Sequence, residues 1–155
     1  MSLENESEDY SATIPQRGFA FGVAVPSFAQ DRTTNQAIDE NLGDHTKYEA
    51  VITTFQKAVA DHDAAGVAAL VQYPIGLKVN GKEMHIKSAK AFAEHYDGIM
   101  TPSITKVVTR QKYEDLFVNY KGIMFGSGQV WINGICEDNA CKKFDAKVVT
   151  IQEVD

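Results

Sequence analysis

The sequence predicts an α+β domain in which helices cover one face of an antiparallel sheet. Two observations carry this prediction. Between residues 44 and 99, apolar side chains recur three and four positions apart, which is typical of amphipathic helices. Between residues 113 and 153, short β-forming runs alternate with glycine-rich or polar turns, which is typical of antiparallel strands. Helices and strands grouped in this way indicate segregated layers.

The composition limits the classes of protein to which the chain can belong. Its 155 residues are 44% hydrophobic and 23% charged, as expected for one globular domain with a real core. The net charge of -6 lies mostly before Asp44, so the remaining chain is nearly neutral. It therefore lacks the basic surface that a nucleic-acid partner requires. No apolar run approaches the roughly 20 residues of a membrane-spanning helix, so no integral membrane segment is expected.

Residues 1–43 are predicted to be a disordered or weakly ordered acidic tail, with a single domain over residues 44–155. Residues 17–30 resemble the end of a secretory signal, because a basic residue and a short apolar stretch precede a cleavage-like triplet, Ser27-Phe28-Ala29. This interpretation predicts a periplasmic or secreted protein. The alternatives are an apolar arm that covers the domain and a cytoplasmic location. Residues 31–43 are polar without periodicity, which suits a linker.

Three helices are predicted in the first half of the domain. The first begins at Asp44 or Thr46, either of which can cap it, and runs to about residue 62. Its apolar positions are Tyr48, Val51, Ile52, Phe55, Ala58 and Val59. Asp63 is a candidate cap for a second, short helix, and Ser88 is a candidate cap for a third that carries Tyr96. Residues 104–110 fit either a helix or a strand.

Two hairpins are predicted from their turns. Asn80-Gly81 is the strongest short signal for a hairpin, and Gly126-Ser127-Gly128 separates two apolar segments of the densest β-forming run. In the second of these segments Val130 and Ile132 share one face, and Trp131 lies on the other.

The last strand, over residues 142–153, changes parity along its length. Phe144, Ala146 and Val148 share one face, whereas Val149 and Ile151 have the other parity. A bulge or bend near Val148 would reconcile the two halves.

Cys136 and Cys141 are predicted to form a disulfide. They bracket a four-residue polar loop between two strands, so in a hairpin they would face each other across the ladder, with Cα atoms about 4.5 Å apart. A disulfide agrees with the oxidising compartment that the signal-like segment indicates. Two free thiols in a cytosolic protein are the alternative. Two cysteines alone supply only half of a zinc site, so no metal is expected.

The chain resembles the nuclear transport factor 2-like superfamily, a cystatin-like cone fold that includes ketosteroid isomerase and limonene epoxide hydrolase. The resemblance covers about residues 45–153. It is carried by the long first helix, the linker of residues 60–66 (ADHDAAG), the hairpin at Asn80-Gly81, and residues 88–96 followed by long strands. Residues 73–75 and 122–132 also resemble exported bacterial members without assigned activity. The resemblance implies a highly curved antiparallel sheet wrapped around three N-terminal helices, a cavity between them, and homodimers formed through the sheet.

The catalytic groups of the isomerase branch do not carry over to this chain. That branch has a tyrosine on the first helix and an aspartate near the first hairpin. The corresponding positions are Phe55 and the stretch Lys78, Val79 and Asn80. A shared fold alone does not specify a function.

Five aromatic residues are candidates to line a cavity for a small hydrophobic molecule. They are Phe55, Tyr73, Tyr96, Tyr120 and Trp131. The alternative is that they pack a core. No catalytic set and no cofactor are predicted, although Asp115 with His62 or His95 would be the acid-base residues of an enzyme. His62 also suits a solvated turn between helices.

These observations predict a non-catalytic exported domain that binds a small apolar ligand or a protein partner. An enzyme of isomerase or hydratase type, with an acid-base residue in the cone, is the first alternative. A self-associating scaffold is the second.

Overall fold

A computed structural model describes residues 27–155, with side chains from Thr33 onward. Helices and antiparallel sheets in this part of the chain confirm the α+β class. The helices are α1 (Ser27–Asn41), α2 (His45–Ala60), α3 (Ala64–Ala68), α4 (Ala89–Glu94), α5 (Tyr96–Ile99) and α6 (Pro102–Arg110), with a 3-10 helix at Tyr113–Asp115. The strands are β1 (Ile75–Val79), β2 (Lys82–Ile86), β3 (Phe117–Asn119), β4 (Gly122–Phe125), β5 (Val130–Cys136) and β6 (Phe144–Ile151). The predicted acidic tail before residue 27, with most of the signal-like segment, lies outside the described residues.

The strands form two antiparallel sheets: the β1–β2 hairpin and a four-stranded sheet in the order β3-β4-β5-β6. Both predicted hairpins are confirmed. Gly126 and Gly128 have φ of 59° and 113°, values that favour glycine, and they lie in the turn between β4 and β5. Val130 and Ile132 are fully buried, whereas Trp131 on the opposite face is only half-buried, as the alternation predicts.

The parity change in β6 has the predicted cause. Trp131 pairs with Thr150, but its neighbour Ile132 pairs with Val148, so Val149 is an extra residue in β6. This irregularity lets Val148 and Ile151 both point into the core although they are three positions apart, an odd offset that would place them on opposite faces of a regular strand. The backbone of Val148 also receives a hydrogen bond from Gln72 N–H (2.9 Å) and donates one to Leu70 C=O (2.8 Å).

Side chains fill the space between the helices and the inner face of the four-stranded sheet. Phe55 of α2 has no exposed surface and meets Phe125 of β4 edge to face, with ring centroids 5.7 Å apart. Ile123 and Ile132 beside it are also fully buried. Asp44, Asp63 and Ser88 cap α2, α3 and α4 as predicted.

The undecided stretch of residues 104–110 is helical, because Thr101 caps α6 and Pro102 suits its first turn. The predicted third helix is interrupted instead of continuous. Its backbone leaves the helical region at His95 (φ -102°, ψ 10°), so that α4 and α5 are separate pieces.

Residues 31–41 of the linker predicted over residues 31–43 belong instead to α1, which packs against β3 and the 3-10 helix. Ile38 is fully buried and Thr34 is 4% exposed. The Thr34 hydroxyl lies 3.2 Å from Tyr113 C=O and 3.3 Å from Glu114 C=O, to which it donates. Tyr113 in turn donates its hydroxyl to the Asn35 amide oxygen at 2.6 Å. From Thr33 onward, one fully buried apolar residue and polar contacts hold this helix, so hydrophobic periodicity in this stretch could not reveal it.

Cys136 and Cys141 lie at disulfide distance, with Cα atoms 4.8 Å apart. The prediction that they face each other across the ladder is wrong, because Cys141 lies in the loop before β6 with φ 52°. Asp138 organises this loop. Its carboxylate accepts from the N–H groups of Lys142 and Lys143, and its carbonyl accepts from Cys141 N–H.

We expect protein purified from an oxidising compartment to be about 2 Da lighter than its reduced form, because bond formation removes two hydrogens. The double variant Cys136→Ser/Cys141→Ser should lose about 2 kcal/mol of unfolding free energy in urea, since the closed loop is short. Mass spectrometry before and after reduction is the measurement. Alkylation of both thiols without prior reduction would contradict the prediction.

Candidate functional site

A groove of about 580 Å³ lies on the helical side of the molecule. One wall is helix α6, which contributes Pro102, Thr105, Lys106, Thr109 and Arg110. The opposite wall comes from the α2–α3 turn and from α5 with the residue that follows it, which contribute His62, Tyr96, Asp97 and Met100. The α6 residues are spaced three and four apart, so they form one face of that helix.

Packing in the core sets the orientation of α6. Ile104 and Val108 are buried, which turns the remaining face of the helix toward the groove. Gln56 of α2 fixes the far end of α6, because its side-chain amide donates to Val108 C=O at 3.0 Å and to Gln111 C=O at 2.8 Å.

Tyr96 carries a buried polar group without a protein partner. The residue is 5% exposed and lines the groove, and its hydroxyl makes no hydrogen bond to the residues described. Burial, with a smaller contribution from the charges of Asp97 and Asp63, raises the pKa of Tyr96 above its ordinary value. The phenol is therefore protonated at neutral pH and can donate a hydrogen bond. Leaving such a group unpaired costs roughly 1–3 kcal/mol.

Tyr73 is a contrasting case among the predicted aromatics. Its hydroxyl donates to Ala68 C=O at 2.6 Å, and its ring meets Phe92 edge to face with centroids 6.3 Å apart. Burial raises the pKa of Tyr73 to about 12. Its polar and apolar parts are both satisfied within the fold, so its contacts are those of a packed residue.

The other three aromatics lie elsewhere. Phe55 is in the core, and Tyr120 at the β3–β4 turn is 74% exposed. Trp131 is half-buried on the outer face of the sheet, where a shallow pocket of about 330 Å³ also includes Lys121 and Thr150. Tyr96 is therefore the one member of the predicted set that lines the helical groove.

The three acid-base candidates are also separated. His62 lines the groove from an exposed turn, where its φ of 52° is tolerated. Asp115 lies in a different groove of about 390 Å³, beyond the Lys106 and Arg110 side of α6. His95 is half-buried between α4 and α5.

Asp63 beside His62 has the predicted capping role, because its carboxylate accepts from Gly66 N–H at 2.9 Å.

Neither a metal site nor a membrane-spanning helix is found among the described residues. No group of three or more histidine, cysteine, aspartate or glutamate side chains in this part of the chain could hold a metal ion. None of its helices has both the length and the apolar character needed to cross a membrane.

Sequence reasoning missed most of the groove, including its two cationic residues, Lys106 and Arg110. They are one helical turn apart, but this spacing is informative only once residues 104–110 are known to be a helix. The apolar positions Ile104 and Val108 show the same four-residue spacing. They are the signal that could have resolved the ambiguity.

The chain matches no protein-family model, no curated protein and no solved structure. The geometry of the groove is therefore the evidence from which a function is inferred.

Proposed function

We propose that this protein is an exported, non-catalytic binding domain of the nuclear transport factor 2-like type, whose helical groove holds a small ligand with apolar surface. The observation that carries the proposal is that Tyr96, a residue that lines the groove, has a buried hydroxyl without a partner among the described residues. A ligand oxygen or nitrogen at this position would satisfy it. The cysteine pair at disulfide distance supports the exported part of the proposal.

The groove offers apolar surface beside this donor. Tyr96 and Met100 line this wall, and most of the accessible lining of the groove is apolar. On the other wall the Thr109 hydroxyl is already engaged, because it donates to Thr105 C=O at 2.9 Å. A ligand with an apolar body and few polar atoms suits such a lining.

The lack of an oriented acid-base pair supports binding rather than catalysis. A general base needs a partner that fixes its orientation and tautomer. Within the described part of the chain the His62 imidazole has neither a hydrogen bond nor an ion pair, and Asp97 likewise has neither at its carboxylate. The isomerase or hydratase alternative would have to use His62 as its base without such support.

Removing single hydroxyl groups tests whether the Tyr96 hydroxyl has a structural partner within the fold. Tyr96→Phe should keep the unfolding free energy within about 1 kcal/mol of the parent or raise it, because it removes an unpaired buried hydroxyl. Tyr73→Phe is the matched control and should cost about 1 kcal/mol, because it breaks the bond to Ala68 C=O. Urea unfolding of both variants measures the difference. A Tyr96→Phe loss above about 2 kcal/mol would show that the hydroxyl has a structural partner.

Binding itself is tested with 2-phenylethanol, an apolar probe with one hydroxyl, and [13C-methyl]methionine NMR. We expect a saturable shift of the Met100 methyl signal, which Thr109→Trp should abolish by filling the groove. Thr54→Trp is the control, because Thr54 is exposed on α2 and also donates to the carbonyl four residues earlier, here Ala50. A Met100 shift that survives Thr109→Trp, or no shift at all, would overturn the proposal.

Self-association is a second candidate function. Phe117, Met124 and Trp131 occupy one cross-strand row on the outer face of the sheet, and Phe117 is 50% exposed. An exposed apolar row is a typical contact between copies. Sedimentation equilibrium that gives a monomer at high concentration would exclude this candidate.

A further inference from the structure

Lys106 and Arg110 give one wall of the groove unpaired positive charge. Both are exposed, and neither forms an ion pair within residues 33–155. Residues four apart on a helix have Cβ atoms about 6 Å apart, so one small anion can contact both side chains.

Negative charge lies on the opposite wall. Asp97 follows Tyr96 directly, and Asp63 is close enough to act electrostatically on the Tyr96 hydroxyl. These carboxylates would repel an anionic group held on their side. Charge therefore orients an anionic ligand, with its head toward α6 and its apolar body against Tyr96 and Met100.

From this arrangement we propose that the groove binds an amphipathic monocarboxylate, an inference that rests on the proposed binding function. The carboxylate lies between the Lys106 ammonium and the Arg110 guanidinium, both of which donate charge-assisted hydrogen bonds. The apolar body covers Tyr96 and Met100. A second, uncharged oxygen of the ligand, such as a hydroxyl, ether or keto group, accepts from the Tyr96 hydroxyl.

The Tyr96 hydroxyl separates this site from an ordinary solvated pair of cations. Exposed lysine and arginine side chains alone are satisfied by water and indicate no ligand. A buried, protonated donor without a partner, on a residue that lines the groove, points to an acceptor supplied from the groove. Taken together, the unpartnered donor and the cationic pair indicate a ligand with a polar atom at each end of an apolar body.

Three probes of similar shape separate charge from apolar contact: phenylacetate, 2-phenylethanol and phenethylamine. We expect phenylacetate to shift the Met100 methyl signal with a Kd about tenfold lower than that of 2-phenylethanol, and phenethylamine to bind most weakly. Added salt should reduce the preference for phenylacetate.

A second pair of probes tests the Tyr96 hydroxyl: 2-methoxyphenylacetate should bind more tightly than phenylacetate to the parent but not to Tyr96→Phe.

Arg110→Gln should remove the preference for phenylacetate, because it lowers the affinity for phenylacetate more than the affinity for 2-phenylethanol. Lys112→Gln is the matched control, because it removes an exposed cation that lines only the neighbouring groove. It should leave the preference intact.

The outcomes distinguish this inference from the proposed function. Equal affinities for phenylacetate and 2-phenylethanol, or tightest binding of phenethylamine, would overturn the carboxylate assignment and leave the binding function standing. A preference that Arg110→Gln does not change would also overturn it. No shift of Met100 with any of the three probes would overturn both.

Discussion

Phe55→Ala is expected to lower the unfolding free energy by roughly 3–5 kcal/mol, because it removes a fully buried ring and leaves a cavity against Phe125. In the resemblance drawn from the sequence, Phe55 takes the position of the isomerase branch's catalytic tyrosine, so this variant also tests whether the position is structural here. Urea unfolding monitored by circular dichroism is the measurement. Phe117→Ala is the control, because its ring is half-exposed and should cost about 0.5 kcal/mol or less.

A loss of less than about 1 kcal/mol for Phe55→Ala would contradict the packing described. It would mean that the ring borders open space and that the region between helices and sheet is not filled at this point.

The second large effect is expected for Ile38→Ala, with a loss of about 2–5 kcal/mol. Ile38 is a fully buried apolar residue of α1, and its removal weakens the contact that holds this helix on the domain. Gln36→Ala, at an exposed position of the same helix, should change stability by about 0.5 kcal/mol or less. Chemical denaturation of both variants gives the comparison.

If Ile38→Ala were as mild as Gln36→Ala, α1 would contribute nothing to the domain, and a domain boundary at residue 44 would stand. Hydrogen exchange of the α1 amides provides an independent readout, since a docked helix protects them and an undocked one does not.

Features of the fold that depend on neighbouring residues could be predicted from the sequence. Asp44, Asp63 and Ser88 were identifiable as caps because a short polar side chain before a helix binds that helix's own first amides. The alternation of Val130 and Trp131 predicted two faces because the side-chain period of a strand is two. The parity change near Val148 likewise predicted a bulge, because a regular strand cannot place both of its halves on the same face.

Features that depend on distant contacts could not be predicted. Helix α1 is held by Thr34 and Asn35, whose hydrogen bonds reach residues almost eighty positions later. For the cysteines, spacing predicted proximity but not register, because the Asp138 loop keeps Cys141 out of the ladder.

The candidate site shows the same limit. Aromatic character identified Tyr96 as a cavity candidate but also selected Tyr120 and Trp131, which lie on or beside the outer face of the sheet. A strand pattern separates two faces without indicating which face the helices cover. The charged wall of the groove could not be predicted without knowing that α6 is a helix and that Gln56 holds its far end.

The four-stranded sheet ends on both sides in protected edges. β3 at one edge is only three residues long and has α1 beside it, and at the other edge β6 contains the extra residue Val149 and pairs briefly with the backbone of Leu70 and Gln72. Long, flat and unpaired edges are templates for strand addition between chains, and short or irregular edges prevent it. In the described part of the chain, we therefore expect α1 to contribute to solubility as well as to stability, because a helix beside β3 leaves that short edge less open to strand addition from another copy.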